Sequence, residues 1–214
     1  MVNVMDIRRT LTSLLLTILI GVLACAPKAM QADRAQAVSR EVKPTLQPVI
    51  ESALTQTEQT TIYDPTYIKL SYPGGDLPIE RGVCADVIVR AFRKGGVDLQ
   101  KEVHEDMARN FAVYPNRWGL KAPDANIDHR RVPNLMTYFK RRDKSLPITT
   151  NAKDYEPGDV VAWDLGGGLT HIGIVVNLRA RDSERYYIVH NIGAGARLED
   201  VLFAWRQIGH YRYF

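Results

Sequence analysis

Apolar residues recur at helical spacing through the middle of the chain, with polar residues between them. The clearest stripe runs over 83–94 and ends at a pair of glycines, which favour a helix terminus, so a helix is predicted there. The same spacing predicts three further helices, over 46–54, 99–111 and 132–140.

The last third of the chain shows short apolar runs separated by turn residues. These runs predict strands over 159–163, 170–177, 185–190 and 203–214, besides a short strand within 60–70. Three glycines within 165–169 predict a turn between the first two of the later strands. Helices followed by a run of antiparallel strands predict an α+β fold, with N-terminal helices packed on a C-terminal antiparallel sheet.

The first 24 residues have the pattern of a secretory signal peptide. Arg8 and Arg9 precede an apolar run of about 14 residues, and a membrane-spanning helix needs ~20. The chain is therefore expected to be exported. Behind the signal peptide we expect a polar tether over 25–44 and one folded domain over 45–214.

Cys25 follows Val22-Leu23-Ala24, which is similar to the box before the acylated cysteine of bacterial lipoproteins. The box is imperfect because Leu23 is larger than usual at its position. Ordinary cleavage after Ala26 is disfavoured by Pro27, and the other alternative is a cysteine without a role inside the apolar run. We expect lipidation of Cys25, which would be the one contact of the protein with a membrane.

Composition narrows the class of protein. The 214 residues are 45% hydrophobic and 24% charged, which excludes a disordered or multi-span membrane chain. A net charge of +4, dispersed along the chain, argues against nucleic-acid binding. Two cysteines cannot build a disulfide framework, so with Cys25 lost or acylated Cys84 is left as a free thiol. A monomer without a cofactor is expected.

Cys84 lies in the first turn of the best-predicted helix. Unpaired backbone N–H groups and the positive end of the helix dipole favour a thiolate there, which suits a nucleophile. The alternative is a small buried hydrophobe, because Cys84 is next to Val83 on the apolar stripe.

Two histidines are predicted on neighbouring strands. Alternation puts His171 and Gly173 on one face, and the glycine leaves open space beside the imidazole. His190 ends the next strand and is followed by Asn191. Because a thiolate nucleophile needs a base, and the base needs an orienting group, the chain offers these roles in the order Cys, His, and His or Asn. The alternative is a pair of half-buried sheet histidines.

These patterns resemble the NlpC-type branch of the papain-like cell-wall peptidases. That branch has a cysteine opening a helix, a Pro-Gly-Asp strand, a His-x-Gly-Ile strand and a third polar residue on the next strand. The matching segments here are Cys84, 157–159, 171–174 and 189–191, with 72–75 similar to the Tyr-x-Gly-Gly turn of the family. The resemblance implies a papain-like fold with Cys84 as nucleophile, His171 as base and His190, or else Asn191, as orienting residue.

The ordered phrases are more similar still to a bacterial domain-of-unknown-function family, DUF1287. They cover roughly 46–214 and stand at 63–65, 72–76, 82–87, 104–107, 126–132 and 158–161. Two features depart from ordinary NlpC-type domains: Ala-Asp follows Cys84, and the segment between Cys84 and Pro157 is longer. Substrate preference therefore does not carry over.

Further polar residues are candidates for substrate binding or support of the site. Tyr72 could hydrogen-bond near the thiolate. Asp128, Arg130 and Arg131 lie in a predicted loop, where they either form a structural ion-pair cluster or grip a substrate carboxylate through a guanidinium. We expect Arg130 at the substrate and Arg131, next to Val132, in the structural role.

The sequence thus predicts an exported or lipid-anchored thiol hydrolase that cleaves amide bonds, with peptidoglycan peptides as its substrate. One alternative is a non-catalytic envelope-binding module on the same fold. Another is a zinc hydrolase that uses the histidines at 104, 129, 171 and 190, although no HExxH or close Cys/His pairing is present. No metal site is expected.

Overall fold

Helices dominate the first part of the domain and long strands the second. The computed structural model describes residues 38–214 apart from Asp182. Its α-helices are α1 (Gln47–Gln59), α2 (Cys84–Lys94), α3 (Leu99–Asn110) and α4 (Val132–Arg141). Its strands are β1 (Val38–Ser39), β2 (Ile62–Tyr63), β3 (Arg81–Gly82), β4 (Val160–Gly166), β5 (Leu169–Arg179), β6 (Tyr186–Asn191), β7 (Ala196–Glu199) and β8 (Arg206–Tyr211). The expected α+β class is confirmed.

An antiparallel sheet runs in the order β7-β6-β5-β4-β8, with β5 at its centre. The short β1 pairs with the far end of β5, while β2 and β3 form a separate parallel pair. The registered pairing of β5 with β6 begins at Gly173 opposite His190. The first residues of β5 therefore extend beyond the last β6 pair, and the sheet opens there.

The two faces of the sheet carry different cores. The helices pack on one face, where the apolar stripe of α2 meets alternate strand residues such as Ile172 and Ile174. A smaller cluster lies on the opposite face around Trp163. Because side chains alternate along a strand, Ile172 faces the helices while His171 stacks on Trp163.

Several elements differ from the sequence prediction. Helix α1 continues past the apolar stripe because the buried Gln56 donates to the Val87 carbonyl at 3.1 Å, which joins α1 to α2. The strand expected within 60–70 shrinks to the two residues of β2. Strand β7 was not expected, because four residues give too short a pattern to recognise.

The chain joins the sheet upstream of the expected boundary at residue 45. The Arg40 N–H donates to the Asn177 carbonyl at 2.8 Å, and the Arg40 guanidinium donates to the Tyr186 hydroxyl at 3.1 Å. Residues 38–44 therefore belong to the domain rather than to the tether. The predicted signal peptide and Cys25 lie outside the described residues. No helix among those described has the length and apolar character to span a membrane.

Candidate active site

Cys84 is the first residue of α2, and its thiol is free. The helix begins here because the Asp86 carboxylate accepts the Val83 N–H at 2.7 Å. The backbone N–H groups of Ile172, Ala85 and Cys84 itself face the sulfur and act to lower the pKa of its thiol. Two of these donors come from the helix start, as the sequence predicts.

The third donor is available because the sheet opens beside it. The last registered β5–β6 pair is Gly173 with His190, so the N–H of Ile172 lies past that pair, where it acts to lower the pKa of the thiol. Ile172 directly follows His171 in the chain. The thiol therefore lies beside the strand segment that carries the expected base. Among the described residues, however, no hydrogen bond joins the Cys84 sulfur to either imidazole.

Burial dominates the ionisation of this thiol. Cys84 is only 6% exposed, and the loss of hydration raises the pKa of its thiol to about 12. The nearby Asp86 carboxylate raises it further, while the backbone N–H donors act in the opposite direction. The helix start leads us to expect a thiolate, but the closed site holds a protonated thiol. The free-energy cost of removing the thiolate charge from water is larger than the gain from its attraction to the backbone N–H groups.

His171 and His190 are joined by a direct hydrogen bond. The Nε2 atom of His171 is 2.8 Å from Nδ1 of His190, and the two residues are 2% and 0% exposed. Gly173 makes room for this pair, since a Cβ there would lie 3.1 Å from the His190 Cβ and 2.6 Å from Ile188 Cγ2. Gly173 does leave space beside His171, but the side chains of His190 and Ile188 fill it.

Aromatic rings surround His171. Its cross-strand neighbour Trp163 stacks on it with 5.7 Å between ring centroids, and Trp205 meets it edge-on at 5.8 Å. Burial first, and the adjacent His190 second, lower the pKa of His171 to about 3. The imidazole is therefore neutral at neutral pH and has a lone pair with which to accept a proton.

A carboxylate absent from the sequence-based candidates lies at the far end of this pair. Glu199 Oε2 is 2.9 Å from His190 Nε2, and the Glu199 side chain is 42% exposed. The hydrogen bond from His190 lowers the pKa of Glu199. The β6–β7 register puts Glu199 opposite Ile188 and so diagonal to His190 on one face. Only that register reveals the contact, and the sequence gives no separate signal for it.

Of the two candidates for orienting the base, His190 contacts His171 and Asn191 does not. The Asn191 side chain donates to the Gly82 carbonyl at 2.9 Å and accepts the Gly193 N–H at 3.2 Å. It therefore ties β6 to the segment immediately before Cys84.

Arg130 lies in the interior, with its side chain 1% exposed. Its Nε is 3.0 Å from Asp86 Oδ1, and its Nη2 is 3.1 Å from Asp86 Oδ2. Further bonds from the guanidinium run to the carbonyls of Thr66 and Asp64, at 2.9 and 2.8 Å. The guanidinium donors expected to grip a substrate carboxylate are bonded to Asp86 and to these carbonyls. Arg130 instead supports the site, because its partner Asp86 also begins the helix of Cys84.

Arg131 and Asp128 of the same loop also have partners other than those expected. The Arg131 guanidinium lies 4.1 Å from the centroid of the Trp118 ring. Asp128 is buried and accepts the Asp124 N–H at 2.5 Å, and burial raises the pKa of the Asp128 carboxyl. The carboxylate that pairs with an arginine of this loop is therefore Asp86 of α2, not Asp128.

Tyr72 lies away from the thiol. Its hydroxyl is 3.4 Å from Glu105 Oε1, and its ring meets His104 edge-on at 5.1 Å. Tyr63 of β2 interacts with the thiol instead: burial raises the pKa of Tyr63 first, and the electrostatic interaction with Cys84 second. Tyr63 lies in the predicted strand and in the family phrase at 63–65, but neither pattern assigns it a chemical role.

The histidines do not gather into a metal site. Within residues 38–214, Asp182 aside, no group of three or more His, Cys, Asp and Glu side chains has the geometry to hold an ion. His171 and His190 bond each other, whereas His104 lies on α3 with its Nδ1 3.6 Å from Asp128 Oδ2. The zinc alternative gains no support from this arrangement.

A family model described as "Domain of unknown function (DUF1287)" matches residues 50–213. The chain belongs to the DUF1287 family. It is similar to the uncharacterized protein YijF of Escherichia coli strain K12, with 59% identity over 166 residues, which are 78% of this chain and 80% of the relative. Cys84, His171, His190 and Glu199 all lie inside the DUF1287 match.

Proposed function

We propose that this DUF1287 protein is a cysteine-dependent hydrolase of amide bonds. Cys84 is the nucleophile, His171 the base and His190 the residue that orients the base. The observation that carries the proposal is the 2.8 Å hydrogen bond between the two imidazoles, on strands next to a helix that begins with a free thiol. A base held at one ring nitrogen keeps its other nitrogen available for the nucleophile, which is the arrangement that an activated thiol requires.

The site is closed, so substrate binding has to open it. A thiol with a pKa of about 12 and an imidazole with a pKa of about 3 are both neutral in this closed state. A substrate must displace the groups that cover the sulfur before its carbonyl carbon can reach it. Catalytic hydrogen bonds often form fully only in the substrate complex, so the missing thiol–imidazole bond is expected to form at that stage.

The reaction then follows from the donors present. His171 takes the thiol proton as the Cys84 sulfur bonds to the carbonyl carbon, and the carbonyl oxygen becomes an oxyanion. The Cys84 N–H at the helix start is the expected oxyanion donor. When the C–N bond breaks, His171 gives the proton to the leaving amine, and a thioacyl-enzyme remains. Water, deprotonated by His171, hydrolyses this thioester and restores the thiol.

The proposed substrate is a peptide of the peptidoglycan layer. Support comes from the predicted signal peptide and from the sequence resemblance to NlpC-type cell-wall peptidases, whose papain-like fold we also propose for this domain. We place the protein in the periplasm, as a monomer that is attached to the envelope when Cys25 is lipidated.

Mass spectrometry of purified peptidoglycan after incubation with the protein tests the proposal. The wild type should release or shorten stem peptides, and Cys84→Ala should not. Cys25→Ala is the matched control, because it removes the other cysteine and should leave the products unchanged. Identical products from the wild type and Cys84→Ala would overturn the assignment of the nucleophile.

The closed thiol favours one alternative, a non-catalytic envelope-binding module. Cys84 is buried and its pKa is raised, as for a packed structural cysteine. Iodoacetamide labelling with and without muropeptides separates the two functions. In a hydrolase the added peptide opens the site and either speeds Cys84 labelling or traps a thioacyl adduct. In a binding module peptides bind without cleavage, and the labelling of Cys84 stays slow.

A further inference from the structure

Three polar side chains form a continuous line across neighbouring strands on one face of the sheet. His171 on β5 is 2.8 Å from His190 on β6, and His190 is 2.9 Å from Glu199 on β7. The line starts at the proposed base and ends at a half-exposed carboxylate. Resting on the proposed function, we propose that Glu199 is a positioning residue that fixes the tautomers of both histidines, so that Nδ1 of His171 is the proton-accepting atom.

The carboxylate end of the line determines the first proton. The hydrogen bond from His190 lowers the pKa of Glu199, and Arg197 is a further positive neighbour, so Glu199 is ionised at neutral pH. An ionised carboxylate can only accept hydrogen bonds. The atom 2.9 Å from it, His190 Nε2, must therefore be the ring nitrogen that carries hydrogen.

The remaining protons follow from counting. His190 is proposed to carry one N–H, so once Nε2 donates to Glu199, Nδ1 of His190 is an acceptor. His171 must then donate from Nε2 across the 2.8 Å contact. Its single hydrogen is used there, so the lone pair lies on Nδ1. Without Glu199 the same contact could form with the opposite polarity, and His171 would then have its hydrogen on Nδ1, where it could not accept the thiol proton.

Nitrogen-15 NMR of the histidine side chains in the purified protein reads these protons directly. In the wild type at neutral pH, His171 and His190 should both show protonated Nε2 and unprotonated Nδ1. Glu199→Ala should convert both signals to a mixture of tautomers. Glu199→Gln should restore the wild-type pattern, because its amide oxygen still accepts from His190, and this rescue separates positioning from a simple packing effect.

Asp200→Asn is the matched control. Asp200 follows Glu199 in the chain, and its carboxylate pairs with Arg185. In the described structure it has no hydrogen bond to His190, so the variant removes a neighbouring carboxylate without touching the histidine pair. Its histidine tautomers should equal those of the wild type. A wild-type His171 that carries hydrogen on Nδ1, a doubly protonated wild-type His190, or unchanged tautomers in Glu199→Ala would each overturn the proposal.

The kinetic consequence is measured separately. Peptide hydrolysis should fall about tenfold in Glu199→Ala, less than the ~10⁴ that loss of a fully buried orienting carboxylate causes in serine proteases, because Glu199 is half exposed. Glu199→Gln should fall less than Glu199→Ala. If the wild type hydrolyses nothing, the proposed function fails, while the NMR result still decides whether Glu199 orders the histidine pair.

Discussion

Two buried polar networks flank the start of α2, and they are built differently. On one side, Arg130 and Asp86 form an ion pair, and further guanidinium donors bind backbone carbonyls. On the other side, His171 and His190 share one hydrogen bond, and their line ends at the partly exposed Glu199. The first network is saturated and charged, whereas the second is sparse and contains an imidazole that is neutral.

The difference indicates which network has a structural role and which can take part in proton transfer. A buried ion pair with its partners in place can hold a loop, but it has no free lone pair or proton to exchange. A histidine pair with a neutral His171 stabilises less, yet it leaves one ring nitrogen able to accept a proton. Cys84 lies at the start of the helix that Asp86 caps and beside the strand that carries His171, so both networks determine its position.

Among the variants that separate the two networks, Arg130→Gln should cause the largest loss of unfolding free energy. Arg130→Gln leaves Asp86 buried without its cation, and breaking such a pair costs about 3–5 kcal/mol. Arg131→Gln is the matched control, because its ring contact is worth about 0.5–1 kcal/mol at a partly exposed site. Urea unfolding of the two variants gives both values. Equal losses would mean that the ion pair is not the element that holds the loop.

The sequence predicted more of the histidine network than of the ionic one. Helix spacing and strand alternation identified the positions of Cys84, His171 and His190, because local periodicity determines them. The Arg130–Asp86 contact joins a loop to a distant helix, and no local pattern records such a pairing. Glu199 was missed for a similar reason, since a diagonal contact depends on the register of a four-residue strand.

The protonation state of Cys84 could not be predicted from the local sequence either. The helix-start donors are a local property, and the sequence identified them correctly. Desolvation is a property of everything that packs around the sulfur, and it determines the sign of the pKa shift.

The second-largest effect is expected in acid, where the histidine network should contribute less to the free energy of unfolding. Burial lowers the pKa of His171 to about 3 from 6.5 in the unfolded chain, so its contribution to stability is complete above pH 6.5 and is lost as pH falls towards 3. The difference in unfolding free energy between the wild type and His171→Gln should shrink on acidification, by up to ~1.4 kcal/mol per pH unit.

Urea unfolding from pH 7 to pH 4 measures this slope. His129→Gln is the comparison variant, because burial also lowers the pKa of His129, to about 4, without any bond to the histidine pair. Both variants should show a shrinking difference. A constant difference for His171→Gln across the pH range would mean that His171 has the same pKa in the native and unfolded states, so that burial does not keep its imidazole neutral.

Gly173→Ala tests whether the packing of the histidine pair requires a residue without a Cβ atom at this position. The added methyl group would lie 2.6 Å from Ile188 Cγ2 and 3.1 Å from the His190 Cβ, and overpacking of this kind costs about 1–3 kcal/mol. The cost should be smaller in an Ile188→Ala background, where the nearest atom is gone. A double-mutant cycle from urea unfolding gives the coupling. A coupling near zero would show that the sheet relaxes around the methyl group.

The smallest effect separates the two candidates for the orienting residue. Asn191→Ala removes the buried hydrogen bond to the Gly82 carbonyl and the bond from the exposed Gly193 N–H, which water can replace, so it should lower the unfolding free energy by about 1 kcal/mol. The NMR tautomers of His171 and His190 should be unchanged, because Asn191 does not contact that pair in the described structure. His190→Ala should instead free the His171 ring and alter its nitrogen signals. If Asn191→Ala disturbs His171 as strongly as His190→Ala does, then the segment before Cys84, and not the neighbouring imidazole, holds the base in place.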